Sequence, residues 1–235
     1  MKKAVVLLSG GIDSATALFW ARSKGYRCLC LAFDYGQRHV RELRSAAAVA
    51  REAGCQLKIV KIILPWKGSS LFGRSGRLPR PSSLKEIKSR IPSTYVPARN
   101  TVFLSIALSC AEAIGANAVV IGANAVDFSG YPDCRPSYFS AFRRVARLGT
   151  KCGIKGRPAA IIAPLIKMNK AQIVKLAGKL GVPVELTWSC YAGGKKPCGK
   201  CDACLLREKG FRESKSPAQQ DWRVNADSKF RRASL

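Results

Sequence analysis

Ser9-Gly10-Gly11-Ile12-Asp13-Ser14 follows the apolar run Ala4-Val5-Val6-Leu7-Leu8 and precedes Ala15-Thr16-Ala17-Leu18-Phe19-Trp20-Ala21. A short apolar run, a glycine pair among hydroxyl and acidic residues, and then a helix-like segment read as strand, phosphate loop and helix. Gly10 and Gly11 can take positive φ and let an oxyanion approach the backbone, while Ser9 and Ser14 offer hydroxyl donors. The following helix aims its free N–H groups at the same anion. Asp13 is the odd member, because a carboxylate beside a phosphate repels it unless a cation lies between them. That requirement suggests Mg²⁺. The alternative is a tight turn in which Asp13 and Ser14 do no more than cap a helix.

The string lacks the Gly-Lys-Ser/Thr ending of a P-loop nucleotidase and the spacing of a dinucleotide fingerprint. It resembles the pyrophosphate loop of the PP-loop (N-type) ATP pyrophosphatases, which split ATP between its α- and β-phosphates and activate an oxygen as the adenylate. The resemblance implies ATP binding by Leu8 to Leu18, that is, the six loop residues with Leu8, Ala15, Thr16, Ala17 and Leu18. Ser9, Asp13 and Ser14 are then the catalytic members.

Outward from the loop the chain alternates. Strands are expected at 26–33, 57–63, 118–123 and 159–163. Helices are expected from the segment that opens at Ala15 to about Lys24, and at about 39–53, 99–114, 137–148 and 170–180. Strands alternating with helices predict an α/β fold with a doubly wound, Rossmann-like parallel sheet, of the adenine nucleotide alpha hydrolase type once the loop's resemblance is taken into account. Such sheets bind ligands beyond the carboxyl ends of their strands. The rhythm breaks between Leu64 and Pro97, a Pro-, Ser-, Gly- and base-rich stretch read as a lid over the site. The division expected is an α/β domain over 1–185, a cysteine-bearing subregion over 186–210 and a basic, mobile tail over 211–235.

Composition sets outer limits. A chain of 235 residues with 47% hydrophobic content can bury a sizeable core, which argues against disorder. No apolar run is long enough to span a membrane, and the N-terminal run is too short for a signal peptide. Ten cysteines without such a signal favour a reducing cytoplasm. The formal charge of +27 suggests affinity for nucleic acid or a nucleotide, or simply a basic proteome or an unusual habitat; nucleic-acid contact is allowed by it and not required.

Three polar strings fall where strands should end. They are Asp34-Tyr35-Gly36-Gln37-Arg38-His39, Val96-Pro97-Ala98-Arg99-Asn100, and Asp127-Phe128-Ser129-Gly130-Tyr131-Pro132-Asp133-Cys134-Arg135. Asp127 and Asp133 can accept from the N–H edge of a purine-like base, and Arg99 and Arg135 can hold a carboxylate or phosphate bidentately. The substrate-binding set expected from these strings is Arg99, Asn100, Asp127, Tyr131, Asp133 and Arg135. His39, the sole histidine, is a candidate base or simply a helix-start residue.

Near the C-terminus, Cys198-Gly199-Lys200-Cys201-Asp202-Ala203-Cys204 spaces three thiols by two residues, and Cys190 can supply a fourth. A closed tetrahedral Zn²⁺ site fits these ligands, and an iron–sulfur cluster is the rival. Cys28, Cys30, Cys55 and Cys110 lie in apolar segments and are expected in the core.

Taken together, these motifs and Trp188-Ser189-Cys190-Tyr191 resemble the 7-cyano-7-deazaguanine synthase family of the queuosine pathway, over residues 2 to 208. That resemblance implies a cytoplasmic homodimer that uses ATP, Mg²⁺ and a structural Zn²⁺. It also implies a deazapurine carboxylic acid as substrate, converted with ammonia to the nitrile through an adenylated acid and an adenylated amide. No glutaminase-like segment is visible, so free ammonia is the expected donor. The alternatives are a tRNA-modifying PP-loop enzyme of the thiolase type with an iron–sulfur cluster, and a non-enzymatic zinc-knuckle protein that binds nucleic acid.

Overall fold

A computed structural model of the chain describes residues 1–37, 41–64, 69, 94–126 and 130–215. Its strands are β1 (Lys3–Leu7), β2 (Arg27–Asp34), β3 (Gln56–Lys61), β4 (Ala118–Val120) and β5 (Ala160–Ile162). Its helices are α1 (Ile12–Ser23), α2 (Arg41–Glu52), α3 (Arg99–Ala113), α4 (Pro136–Leu148), α5 (Lys151–Ile154), α6 (Lys170–Lys179) and α7 (Asp202–Ser214). All ladders are parallel and the sheet order is β3-β2-β1-β4-β5. Chain order reverses between β1 and β4, which opens a crevice beyond their carboxyl ends.

Period-two alternation in β1 divides the core between the two faces of the sheet. Ala4, Val6 and Leu8 pack with Ala15, Leu18, Val49, Ile173, Ala177 and Phe211 on one face. Val5 and Leu7 pack with Leu104, Ala107, Phe139 and Phe142 on the other. A sheet covered on both sides needs its inner strands apolar, which is why β1, β4 and most of β2 read as apolar runs, whereas the edge strand β3 carries Lys58 and Lys61 and is largely exposed. Small residues on α1, among them Ala15, Ala17 and Ala21, are fully buried and bring that helix close to the sheet.

The largest departures from the sequence expectations fall at β4, at β5 and at the C-terminal tail. Apolar runs at 118–123 and 159–163 contribute ladders of only three residues each, because apolarity marks burial and the chain beyond Val120 turns toward the site. The tail expected from 211 begins inside α7, where Phe211 is fully buried and Ser214 is buried too. Among the cysteines expected in the core, Cys28 and Cys30 are buried, and Cys55 and Cys110 are half-buried against it. Most of the 64–97 stretch read as a lid, and residues 216–235 of the tail, lie outside the described residues.

Candidate active site

Gly10 sits at φ +83°, a conformation that favours glycine. A Cβ there would stand 2.4 Å from the Glu42 carbonyl oxygen and 2.8 Å from the Ala46 nitrogen, so the loop is seated directly on α2. Gly122, just past β4, has the same function on the other side: a Cβ would lie 2.8 Å from the Ser14 nitrogen. These two contacts clamp the start of α1 at the topological switch.

Within the loop the hydroxyls organise the backbone. The Ser9 N–H donates to Ser14 Oγ at 3.2 Å, Ser14 Oγ donates to the Gly11 carbonyl at 3.0 Å, and the two hydroxyl oxygens lie 3.0 Å apart. Gly11 occupies the N-cap position of α1 without a side-chain cap. Asp13 and Ser14 therefore do not cap α1, and its first-turn N–H groups, without a side-chain cap, can receive an anion.

Asp13 reaches across the crevice. Lys170 Nζ lies 2.5 Å from Asp13 Oδ2, and Asn124 Nδ2 donates to the same oxygen at 3.2 Å. Lys170 is fixed by a capping box in which the side chains of Asn169 and Gln172 each accept from the other's backbone N–H at 2.9 Å. Gly210 of α7 lets this turn approach, since a Cβ there would lie 2.9 Å from Lys170 Cβ. Asp13 Oδ1 is buried and has no hydrogen-bond partner among the described residues. A hard cation fits that orphaned oxygen.

The loop opens into a cavity of about 320 Å³ that Ser9, Asp13, Ser14, Lys170, Glu42 and Arg99 help to line. Arg99 enters from α3 behind Ala98, whose φ of +51° is a strained entry of the kind found at functional sites. Its Nη1 donates to Tyr35 Oη at 3.1 Å. Tyr35 is itself held by Gln37, whose Oε1 accepts from the Tyr35 N–H at 2.8 Å. Asn100 and Tyr131 also line the cavity, and Phe33 stacks on Phe103 at its edge with ring centroids 4.0 Å apart.

The remaining expected substrate residues are placed elsewhere. Asp133 is buried outside the lining, where its Oδ2 accepts from the Asn100 N–H at 2.9 Å and so anchors the start of α3. Arg135 is exposed at the N-cap position of α4 and does not line the cavity. Asp127 and His39 lie outside the described residues.

The sulfurs of Cys190, Cys198, Cys201 and Cys204 all lie within 4.8 Å of one another. Cys190 Sγ accepts from the N–H groups of Ala192 and Cys198, at 3.4 and 3.3 Å. Four thiolates this close repel. Hydrogen bonds from Cys201 and Cys204 hold the Cys190 thiol down, while their bonds to Cys190 push both of those thiols up. A divalent cation removes that conflict, and this donor set can hold a metal ion. The cluster is tied to the loop because the Trp188 N–H donates to the Gly10 carbonyl at 2.9 Å, while Trp188 Nε1 donates to the Cys190 carbonyl at 2.8 Å.

A family model described as queuosine biosynthesis protein QueC matches residues 3–215. The chain belongs to this family. It is 54% identical over 217 residues to the 7-cyano-7-deazaguanine synthase of Thermosynechococcus vestitus, covering 90% of this chain and 92% of that protein. It is 52% identical over 215 residues to the synthase of the same name from Thermoplasma acidophilum, covering 92% and 90%. Among solved structures, an NMN synthetase from Francisella tularensis matches with a TM-score of 0.50 at 16% identity, covering 94% of this chain and 79% of that one. That likeness is one of fold.

Sequence reasoning missed Lys170, Asn124, Glu42 and Arg207, each of which reaches the site from a segment without a motif of its own. Arg207 of α7 is buried, donates to the Val184 carbonyl at 2.9 Å and to Ser189 Oγ at 3.2 Å, and lines the same cavity.

Proposed function

We propose that this chain makes 7-cyano-7-deazaguanine from 7-carboxy-7-deazaguanine, ammonia and ATP. The observation that carries the reading is the single cavity that runs from the pyrophosphate loop to Arg99, in a chain whose relatives bear the synthase name. A carboxylate is a poor electrophile. Held by Arg99, its oxygen attacks the α-phosphate of ATP, and pyrophosphate leaves into the Ser9–Ser14 loop. The α1 N-terminus and Lys170 balance the developing charge. Ammonia then displaces AMP to give the amide, and adenylation of the amide oxygen prepares loss of AMP to the nitrile.

Asp13 Oδ1 would hold Mg²⁺, which supplies charge neutralisation at the leaving pyrophosphate. The four cysteines would hold Zn²⁺ in a closed structural site, with no open position for chemistry. Asn100 and Tyr131 are proposed to contact the deazapurine. Homodimerisation and a cytoplasmic location belong to the proposal on the family resemblance alone. No helix among the described residues is long and apolar enough to cross a membrane.

The deciding assay incubates the protein with ATP, Mg²⁺, ammonium and the deazapurine acid. AMP, pyrophosphate and a nitrile are expected, and AMP release indifferent to the acid would overturn the reading. Asp13→Ala should abolish adenylation while leaving the zinc content intact.

A further inference from the structure

The proposed reaction needs a proton acceptor that neither the phosphate loop nor Arg99 supplies. Near neutral pH the donor is chiefly ammonium, which has no lone pair with which to attack. It sheds two protons on becoming the amide, as the acyl C–O bond to AMP breaks. The amide sheds its two N–H protons on becoming the nitrile, as the second AMP departs. A group that accepts these protons must face both the adenylate and the incoming nitrogen.

Glu42 meets those conditions. Its backbone carbonyl is the atom nearest the Cβ position of Gly10, so this turn of α2 is fixed against the phosphate loop. Its side chain lines the same cavity as Ser9, Asp13 and Arg99. The charged and titratable groups acting on it are Arg99 from α3, Tyr35 from the end of β2, and Tyr191 and Cys190 from the cysteine subregion. Tyr35 and Tyr191 line the cavity too, so a small cation beside Glu42 sits among aromatic side chains.

We propose that Glu42 is a catalytic residue that docks ammonium beside the adenylated carbon and takes up the protons that the nitrogen loses. Geometry comes first, and the acidity agrees with it. Burial pushes the Glu42 carboxyl up to about 7, with Arg99 pulling it down and Cys190 pushing it up. An acceptor titrating near the working pH is the efficient one for general base catalysis. The inference rests on ammonia being the nitrogen donor.

The test separates the stage before nitrogen enters from the stages after it. In Glu42→Gln, ATP–pyrophosphate exchange that depends on the deazapurine acid should persist and fall far less than nitrile formation does. Nitrile formation with ammonium should fall by about 100-fold or more. Hydroxylamine, which is largely unprotonated at neutral pH, should still be acylated to the hydroxamate at close to the unsubstituted rate. With ammonium, the unsubstituted protein and Glu42→Asp should level off above about pH 7, because a deprotonated carboxylate is then present. Glu42→Gln should instead keep rising with the fraction of free ammonia. Exchange lost in step with nitrile in both variants, or a Glu42→Gln pH profile like that of the unsubstituted protein, overturns the role of Glu42 alone. Absence of acid-dependent exchange in the unsubstituted protein overturns the functional reading, and this inference with it.

Discussion

At Asp13 the physical requirement was visible before its solution. A carboxylate next to a phosphate site demands a cation, and the chain supplies one from Lys170, 157 residues later in sequence. Nothing local marks Lys170 among the 41 lysines and arginines. Its selection depends on the capping box of α6 and on Gly210, which admits the turn against α7. Gly10 shows the reverse case. Its place in the loop was readable from type and spacing, while the contact that makes it irreplaceable, the Glu42 carbonyl, belongs to the packed state. Gly10→Ala should therefore lose about 1–3 kcal/mol to backbone strain, with a further loss from the contact with α2. Denaturant unfolding would measure it, and a stability equal to that of the unsubstituted protein would contradict the packing described.

Among the elements, those with long periodic signals fell close to their expected places. α3 and α4 differ from expectation by a residue at one end, because their apolar faces are set by burial against the sheet. α7 was hidden because its sequence, Asp-Ala-Cys-Leu-Leu-Arg-Glu-Lys-Gly-Phe-Arg-Glu-Ser, overlaps the cysteine cluster and continues into a basic stretch. Its Phe211 nevertheless inserts fully into the core beside Ile173 and Ala177. Phe211→Ala should destabilise the fold by about 3–5 kcal/mol. A midpoint shift in urea reports it, whereas a loss below about 1 kcal/mol would place 211 outside the core after all. The substrate strings divided in a similar way. Arg99, Asn100 and Tyr131 face the cavity, but Asp133 faces the α3 N-terminus, because a buried carboxylate next to free helical N–H groups is satisfied there first.

Over the whole molecule, the cysteine subregion returns the end of the chain to its beginning. Trp188 joins the Gly10 carbonyl to the Cys190 carbonyl, and α7 packs on α6 beneath Lys170. Removing the proposed zinc with a chelator should release one ion per chain and lower Tm by about 2–4 °C for each kcal/mol of binding free energy lost. A chelated protein that melts unchanged would mean that the cysteines do not hold the fold. An intense visible absorbance on the purified protein would favour the cluster-bearing alternative.

Composition, period and motif by themselves determined the parallel α/β class, the phosphate loop after β1 and the four-cysteine set. Each is encoded within a few adjacent residues or in a fixed spacing: apolar runs suited to burial on both faces, a glycine at position 10 that takes a positive φ, and thiols spaced so that they converge. Only the tertiary structure decided which cation meets Asp13, which polar residues at the strand ends face the cavity, and that Glu42 lies against the loop. Those choices depend on the 3-2-1-4-5 order of the sheet, which brings residues more than a hundred positions apart to one crevice. No local pattern carries that information, because the contact free energy that fixes it arises only when the layers pack.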